Sequence, residues 1–243
     1  MMRVEVFDTY RDLSHRAAVI VADLIRRRPG AILGLPTGST PEGFYGALTP
    51  MDVSFRAVRT FNLDEYVGLP RAHPQSYYTF MHRHLYSLVD LAPENCHIPD
   101  GMALDPDAEC DRYEESLRQA GGLDVVVLGI GHNGHIGFNE PGSPWAGRTR
   151  RVPLADATRE ANARFFGSID AVPREALTMG IGTILEARQI LLLASGEAKA
   201  EIIRRTLEGE PDEQVPATAL QRHPNVTVLL DTAAARFVSR TAS

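Results

Sequence analysis

The stretch VEVFDTYRDLSHRAAVIVADLIRRRPGAILGL, residues 4–35, predicts a strand, a helix and a second strand in succession. The runs at 4–7 and 31–35 are short, apolar and rich in residues that favour strands. Between them, apolar side chains recur at helical spacing from Leu13 to Ile25, behind Asp8 and Thr9 as capping residues. This order is a βαβ unit, which places both strands parallel in one sheet.

The same alternation continues along the chain. The predicted strands are 57–63, 123–130, 189–194 and 225–230, and the predicted helices are 9–28, 76–89 with Ser76 as cap, 107–120 closed by Gly121 and Gly122, and 197–207. Continuous apolar runs suit strands that are covered on both faces. We therefore expect an α/β fold: a doubly wound, mostly parallel, Rossmann-like sheet with helices on both faces, in a single domain over residues 1–243.

Composition and charge narrow the classes of function. The net charge is −6 and no long basic run occurs, so a nucleic-acid partner is disfavoured. No apolar stretch approaches the ~18 residues that a membrane span requires, and the N-terminus lacks the apolar core of a secretory signal. We expect a cytoplasmic protein without membrane association. Cys96 and Cys110 form no disulfide or zinc pattern and are expected to be reduced thiols.

The loop after the second strand has the composition of an anion site. In sheets of this kind, ligands bind at the carboxyl ends of the strands. The sequence PTGST at 36–40 is followed by Pro41 as the predicted first helical residue, with Thr40 as N-cap. Free backbone N–H groups at a helix N-terminus bind phosphate well. A tight turn with a good cap explains the same residues without a ligand.

Two carboxylates follow the third predicted strand, in FNLDEYVGL at 61–69. Neighbouring residues of an extended segment point in opposite directions, so only one of Asp64 and Glu65 would face a cleft. Asp64 is the better candidate for a base that removes a proton next to a carbonyl or imine carbon. The alternative is a solvated strand end or a helix cap.

The loop after the fourth predicted strand, LGIGHNGHIGFNEP at 128–141, concentrates polar residues between glycines. Glycines permit close approach of the backbone to a ligand, and histidine transfers protons well near neutral pH. A carboxylate at Glu140 would orient an imidazole such as that of His135. The density of His132, Asn133, His135, Asn139 and Glu140 favours a catalytic role.

Two other interpretations of this loop are weaker. Gly129, Gly131 and Gly134 form a G-x-G-x-x-G pattern after a strand, but the residues that follow do not open a long helix. No acidic residue stands at the end of a strand about 20 residues further on, as a dinucleotide site requires. A nucleotide cofactor is therefore disfavoured. Zinc binding by His132, His135 and Glu140 matches no common ligand spacing, so no metal is expected.

Five segments together resemble the family of glucosamine-6-phosphate deaminases: LGLPTGSTP, FNLDEYVGL, HPQSYYTFMH, GIGHNGHIGFNEP and ANARFF. The resemblance extends from about Leu33 to Pro224, nearly the whole chain. Related 6-phosphogluconolactonases share the fold and a similar glycine turn, but the FNLDEY and FNEP segments resemble the deaminases.

The resemblance implies a reaction without a cofactor, in which glucosamine 6-phosphate and water give fructose 6-phosphate and ammonia. Within it, His135 opens the sugar ring with help from Asn133 and Glu140, and Asp64 moves a proton between C2 and C1. The phosphate would be held by Pro36, Thr37, Gly38, Ser39 and Thr40, with positive charge from Arg164 and Lys199. The expected partner is this small amino-sugar phosphate, and self-association is compatible with the sequence.

The chain departs from the family pattern at two positions. Some members have Asp where this chain has Asn133, and an amide can orient a group but cannot titrate. Allosterically activated members have a lysine at the position of Val152 and a longer C-terminal tail, so weak or absent activation is expected. Residues 154–177 resemble a mobile lid, whose closure would exclude water.

Two alternatives to a deaminase remain at this point. A 6-phosphogluconolactonase would use His135 as the base for lactone hydrolysis and would have no evident use for Asp64. A sugar-phosphate sensor would bind without turnover, but the related regulators carry a DNA-binding module for which 243 residues leave no room.

Overall fold

The computed structural model describes residues 2–239, and the strands in this range form two sheets. The strands are β1 (Arg3–Phe7), β2 (Ile32–Leu35), β3 (Arg59–Asn62), β4 (Asp64–Tyr66), β5 (Cys96–His97), β6 (Val125–Leu128), β7 (Arg150–Pro153), β8 (Glu175–Thr178), β9 (Ile190–Ala194) and β10 (Val226–Asp231). The large sheet has the order β1-β10-β9-β6-β2-β3-β5, and each of its strand pairs is parallel. The small sheet, β4-β8-β7, is antiparallel.

Helices connect these strands. They are α1 (Tyr10–Arg27), α2 (Glu42–Leu48), α3 (Tyr77–Met81), α4 (Pro106–Ala120), α5 (Asp156–Phe166), α6 (Ile181–Leu185) and α7 (Ala200–Glu208). Within residues 2–239, no helix is both long and apolar enough to cross a membrane.

Apolar side chains cover both faces of the large sheet. Successive residues of a strand face opposite sides, so Val126 and Leu128 join one core cluster, while Val125 and Val127 join the other. Helix α1 buries the stripe Leu13, Ala17 and Val21 in the second cluster. The prediction of a mostly parallel sheet with helices on both faces is therefore confirmed.

Several predicted boundaries are wrong in detail. The predicted helix 76–89 is α-helical only to Met81 and continues as a π-helical turn over His82–Tyr86. Pro41 is not the first helical residue capped by Thr40: Pro41 itself occupies the cap position, and its carbonyl accepts the first helical bond, from the Tyr45 N–H. The cap at Ser76, which binds the Thr79 N–H, is confirmed.

The small sheet was not predicted from the sequence. After β3 the chain leaves the large sheet at Leu63, whose N–H binds the Leu35 carbonyl and whose carbonyl accepts from the Met179 N–H. Strand β4 then pairs with β8, with Asp64 opposite Thr178. Helix α5 lies between β7 and β8 along the chain, so both of its ends are attached to this sheet.

Asp124 joins the starting ends of neighbouring parallel strands. Its side chain is 3% exposed, accepts a hydrogen bond of 2.9 Å from the Ile32 backbone N–H, and pairs with two arginines. The carboxylate lies 2.9 Å from Arg28 Nη1 and 2.7 Å from Arg188 Nη1. One buried carboxylate thus holds the beginnings of β2, β6 and β9 together.

Replacing Asp124 should destabilise the fold. In Asp124→Ala, the Ile32 N–H loses its acceptor, and we expect the free energy of unfolding to fall by roughly 1–3 kcal/mol in urea denaturation. Asp124→Asn is the matched control, because its side-chain oxygen can still accept that bond, and it should lose less. Equal losses in the two variants would show that the hydrogen bond to Ile32 does not matter.

Candidate active site

A cleft of about 430 Å³ lies where β2, β3, β6 and β9 end. Loops that are far apart in sequence meet there because the carboxyl ends of parallel strands share one edge of the sheet. Ten of the predicted site residues line the cleft: Pro36, Thr37, Gly38, Ser39, Thr40, Asp64, Asn133, His135, Arg164 and Lys199. The remaining one, Glu140, lies behind His135 and contacts it.

Two tyrosines hold the predicted phosphate loop at 36–40. The Tyr45 hydroxyl, from α2, donates a buried hydrogen bond of 2.7 Å to the Pro36 carbonyl. The Tyr10 hydroxyl, from the first turn of α1, donates to the Thr40 carbonyl at 2.8 Å and accepts from the Gly43 N–H at 2.8 Å. The loop is therefore fixed through its backbone, which leaves its own side chains and other N–H groups available at the cleft.

Two cations line the same cleft as this loop. Lys199 precedes α7, and its Nζ donates a hydrogen bond of 2.7 Å to the Ile130 carbonyl. Burial lowers the pKa of this lysine below its usual value. Arg164 belongs to α5, is exposed, and packs its guanidinium 4.6 Å from the centre of the Phe165 ring. The first cation is bonded to the loop that follows β6, while the second is carried by α5.

Asp64 is a buried carboxylate in the cleft, with only 6% of its surface exposed. Burial raises its pKa to about 8, and the negative charge of Glu65 adds to the shift. Among the described residues, no cation forms an ion pair with Asp64. A carboxylate in this environment is well suited to take up a proton near neutral pH.

Glu65 points away from the cleft, as the strand alternation predicts. Its carboxylate accepts backbone hydrogen bonds from Tyr66, Tyr77 and Tyr78 at 2.9–3.0 Å. Burial raises its pKa to about 6, although these three bonds act in the opposite direction. Glu65 thus attaches the N-terminus of α3, with Tyr77 at the cleft, to the strand that carries Asp64.

His135, Glu140 and Asn133 form one connected group. His135 Nδ1 lies 3.4 Å from Glu140 Oε2. Asn133 Nδ2 donates to the same carboxylate oxygen at 2.7 Å, and Asn133 Oδ1 accepts the His135 backbone N–H at 3.1 Å. Burial raises the pKa of Glu140, but its contacts with His135, Thr158 and Asn133 outweigh burial and lower it to about 2. Glu140 is therefore ionised at any physiological pH.

Glycine 131 makes room for the His135 ring. A Cβ atom at this position would lie 2.2 Å from His135 Cε1, so the imidazole packs directly on the glycine backbone. The turn is closed by two backbone bonds, from the Gly131 N–H to the His135 carbonyl and from the Gly134 N–H to the Gly131 carbonyl. Gly134 has φ 88°, a conformation that favours glycine.

Asn139, which the sequence placed among the candidate polar residues, has a structural role. It is fully buried, and its Nδ2 donates to the carbonyls of Ile136 and Met179 at 2.9 and 2.8 Å. Its Oδ1 accepts from Arg150 Nη1 at 2.8 Å. These bonds fasten the glycine-rich loop to the end of β8, beside the strand that carries Asp64.

Sequence reasoning missed several residues that line the cleft, namely Tyr77, Thr158, Asn162 and Phe165. Tyr77 and Asn162 stand within the segments HPQSYYTFMH and ANARFF, which marked the regions without separating individual roles. Nothing in the local sequence of Thr158 distinguishes it, because its partner Glu140 lies 18 positions away. Within residues 2–239, His, Cys, Asp and Glu side chains form no cluster of three or more able to hold a metal ion.

A parallel sheet with a cleft at its carboxyl edge, lined by a buried carboxylate and an imidazole, is the arrangement of an α/β enzyme. A family model described as glucosamine-6-phosphate isomerases/6-phosphogluconolactonase matches residues 7–229, and the chain belongs to that family.

Individual relatives agree with this assignment. A glucosamine-6-phosphate deaminase of Bacillus velezensis is 51% identical over 230 residues, which cover 93% of this chain and 95% of that protein. Glucosamine-6-phosphate deaminase 1 of Bacillus subtilis is 50% identical over 238 residues, covering 96% and 98%.

Solved structures resemble this one closely. A monomeric glucosamine-6-phosphate deaminase, 50% identical, has a TM-score of 0.95 and covers 97% of this chain and 99% of its own. A 6-phosphogluconolactonase of Trypanosoma cruzi has a TM-score of 0.82 at 20% identity, covers 99% and 98%, and shares the fold.

The contact between Gly131 and His135 gives a test of the site. Gly131→Ala should displace the imidazole. The turnover of glucosamine 6-phosphate should then fall at least about tenfold, because catalysis is sensitive to displacements of about 1 Å. Circular dichroism and the melting temperature check that the fold persists. Gly46→Ala is the matched control, because a Cβ there has no neighbour within 4 Å; an activity loss of equal size in both variants would remove the steric explanation.

Proposed function

We propose that this protein converts glucosamine 6-phosphate and water into fructose 6-phosphate and ammonia, without a cofactor. The observation that carries the proposal is the presence, in one cleft, of a buried carboxylate with a pKa of about 8 and a separate imidazole–carboxylate pair. The two groups suit two different proton transfers: opening of the sugar ring and isomerisation at C2. The relatives named deaminases, at about 50% identity over most of the chain, support the same reaction.

Binding would begin at the phosphate. The backbone of residues 36–40 and the charges of Lys199 and Arg164 would hold it, since these groups line the same cleft. An anion near Lys199 would also favour the charged form of that amine, whose pKa burial lowers.

Ring opening is assigned to His135. The imidazole would move a proton between the anomeric hydroxyl and the ring oxygen, which releases the open-chain aldehyde. Ionised Glu140 would stabilise the positive charge that the imidazole carries during this step. Asn133 would orient the pair. An aspartate in its place would bring a second carboxylate within about 2.7 Å of Glu140, whereas the amide donates a hydrogen bond there.

Asp64 would carry out the isomerisation. It takes the proton from C2 of the open-chain sugar while the C1 oxygen takes a proton from the substrate's own ammonium group, which gives a neutral enolamine. It then returns the C2 proton to C1, which leaves a protonated imine at C2. Water adds to the imine carbon, and the nitrogen leaves as ammonia. The reaction is therefore an aldose–ketose isomerisation followed by hydrolysis of an imine.

We propose that residues 154–177, which include helix α5, form a lid over the cleft. Asn162 Nδ2 donates a bond of 3.0 Å to the Tyr66 hydroxyl, and the Phe166 ring centre lies 5.6 Å from that of Tyr66. Val152 is buried beside Tyr66 in an apolar cluster, so it offers no charge to an N-acetylated sugar phosphate. We accordingly propose that such a ligand activates the enzyme weakly or not at all.

We also propose that the chain forms a single domain and that the protein is cytoplasmic.

The proposal is tested by assaying one preparation on three substrates. Ammonia release from glucosamine 6-phosphate or its epimer galactosamine 6-phosphate supports it, and the ratio of the two rates gives the preference at C4. Hydrolysis of 6-phosphogluconolactone without ammonia release from either amino sugar would show that the protein is a lactonase instead. Tight binding of the amino sugars with no turnover of any substrate would assign a sensor.

Removing the proposed base should abolish turnover but not binding. We expect kcat of Asp64→Asn to fall roughly 10²- to 10⁴-fold, the usual contribution of general acid–base catalysis. Isothermal titration should give a dissociation constant close to that of the wild type. Proton exchange at C2 of the bound sugar in deuterium oxide, measured by NMR, should disappear in Asp64→Asn. Exchange at the wild-type rate in this variant would remove Asp64 from the role of base.

The raised pKa of Asp64 also predicts the pH dependence. The base acts in its ionised form, so kcat/KM should rise with pH and level off above about 8, the pKa in the free protein. Glu140 stays ionised throughout this range, so it adds no further rise or fall to the pH profile of kcat/KM.

Glu65→Gln is the matched variant that tests whether Asp64 causes this rising limb of the pH profile of kcat/KM. It removes the neighbouring negative charge, which lowers the pKa of Asp64, so the limb should move to lower pH. A wild-type limb near pH 4, or a limb unmoved in Glu65→Gln, would contradict the assignment.

A further inference from the structure

A hydroxyl group on α5 binds the carboxylate of the imidazole pair. Thr158 Oγ1 donates a hydrogen bond of 2.7 Å to Glu140 Oε1. The other oxygen, Oε2, accepts from Asn133 and lies nearest to His135. The two oxygens of Glu140 are therefore held from two different elements: one from its own loop and one from the helix over the cleft.

The position of this carboxylate decides whether the imidazole is properly paired. His135 Nδ1 is buried, and its 3.4 Å contact with Glu140 Oε2 does not have the geometry of a hydrogen bond. A buried polar atom without a partner is unfavourable, so a small rotation of the carboxylate that completes the bond would be stabilised. Thr158 on Oε1 and Asn133 on Oε2 hold the carboxylate within 3.4 Å of Nδ1, so the loss of either bond would allow it to turn away from His135.

Helix α5 is the element through which this control would operate. Besides Thr158, it brings Asn162, Arg164 and Phe165 to the cleft, and both of its ends attach to the small sheet. A displacement of α5 away from the cleft would break the bond between Thr158 and Glu140. It would leave the bond between Asn133 and Glu140 intact, because both of those residues belong to the loop after β6.

We propose that Thr158 is a positioning residue that makes ring opening depend on the closed position of α5. The inference rests on the proposed function, and it adds an order of events to it. His135 is aligned for proton transfer only while α5 covers the cleft, so the open-chain aldehyde and the imine form only where bulk water is excluded. Thr158 acts on substrate through Glu140 and His135.

The test uses Thr158→Val, which keeps the β-branched shape and removes the hydroxyl, and Thr158→Ser, which keeps the hydroxyl. Both are assayed with glucosamine 6-phosphate and with the same sugar carrying deuterium at C2. Loss of a hydrogen bond to a charged group should lower kcat/KM of the valine variant roughly tenfold or more. Ring opening breaks no C2–H bond, so the deuterium isotope effect on kcat/KM of the valine variant should fall close to 1. The serine variant should recover both the wild-type kcat/KM and the wild-type isotope effect.

A control variant separates this role from a general loosening of α5. Asn162→Ala removes the bond from α5 to Tyr66 and leaves Glu140 untouched. Its isotope effect should stay at or above the wild-type value. In ¹⁵N-labelled protein, the imidazole signal of His135, assigned with His135→Gln, should shift in Thr158→Val and not in Asn162→Ala.

The outcomes separate the two proposals. No ammonia release by the wild type would remove the proposed function. Wild-type turnover together with an unchanged Thr158→Val would remove only the role of Thr158. An isotope effect that stays well above 1 in a slow valine variant, or a serine variant as slow as valine, would also overturn that role.

Discussion

The common direction of β9, β6, β2 and β3 is the constraint on which the site depends. These strands are adjacent and parallel, so the loops that follow them leave the sheet at one edge. The loop at 36–40, Asp64, the His135 loop and Lys199 meet there although 163 positions separate Pro36 from Lys199. The close fit of the strands requires Gly34 in β2, where a Cβ would lie 2.7 Å from Val126 Cγ2.

Within this cleft, two carboxylates have pKa values that differ by several units. Asp64 is buried beside another carboxylate, which raises its pKa, while Glu140 has an imidazole, a hydroxyl and an amide around it, which lower its pKa. Such a separation is what acid–base catalysis with two different roles needs: one group that exchanges a proton near neutral pH and one that keeps its charge. Burial of Asp64 and the polar partners of Glu140, rather than the residue types, set the difference.

The sequence predicted the parts of the molecule whose signals are local or long. The continuous apolar runs predicted six of the parallel strands, and the density of polar residues between glycines located His135 and Glu140. The small sheet was missed because β4, β7 and β8 are only three or four residues long and do not alternate clearly. Contacts across the fold, such as Thr158 with Glu140 and Tyr10 with the phosphate loop, left no local pattern. They exist only because the sheets bring those elements together.

The two tyrosines behind the phosphate loop have a consequence for the thermodynamics of binding. The carbonyl and N–H of one peptide unit point in opposite directions, so drawing the Pro36 and Ser39 carbonyls toward Tyr45 and Tyr10 turns the N–H groups of Thr37 and Thr40 away from those rings. The loop is thus ordered during folding, before any anion arrives. Its conformational entropy is lost once, at the stage when the hydrophobic core forms, so a phosphate bound there, as we propose, would not incur that cost again.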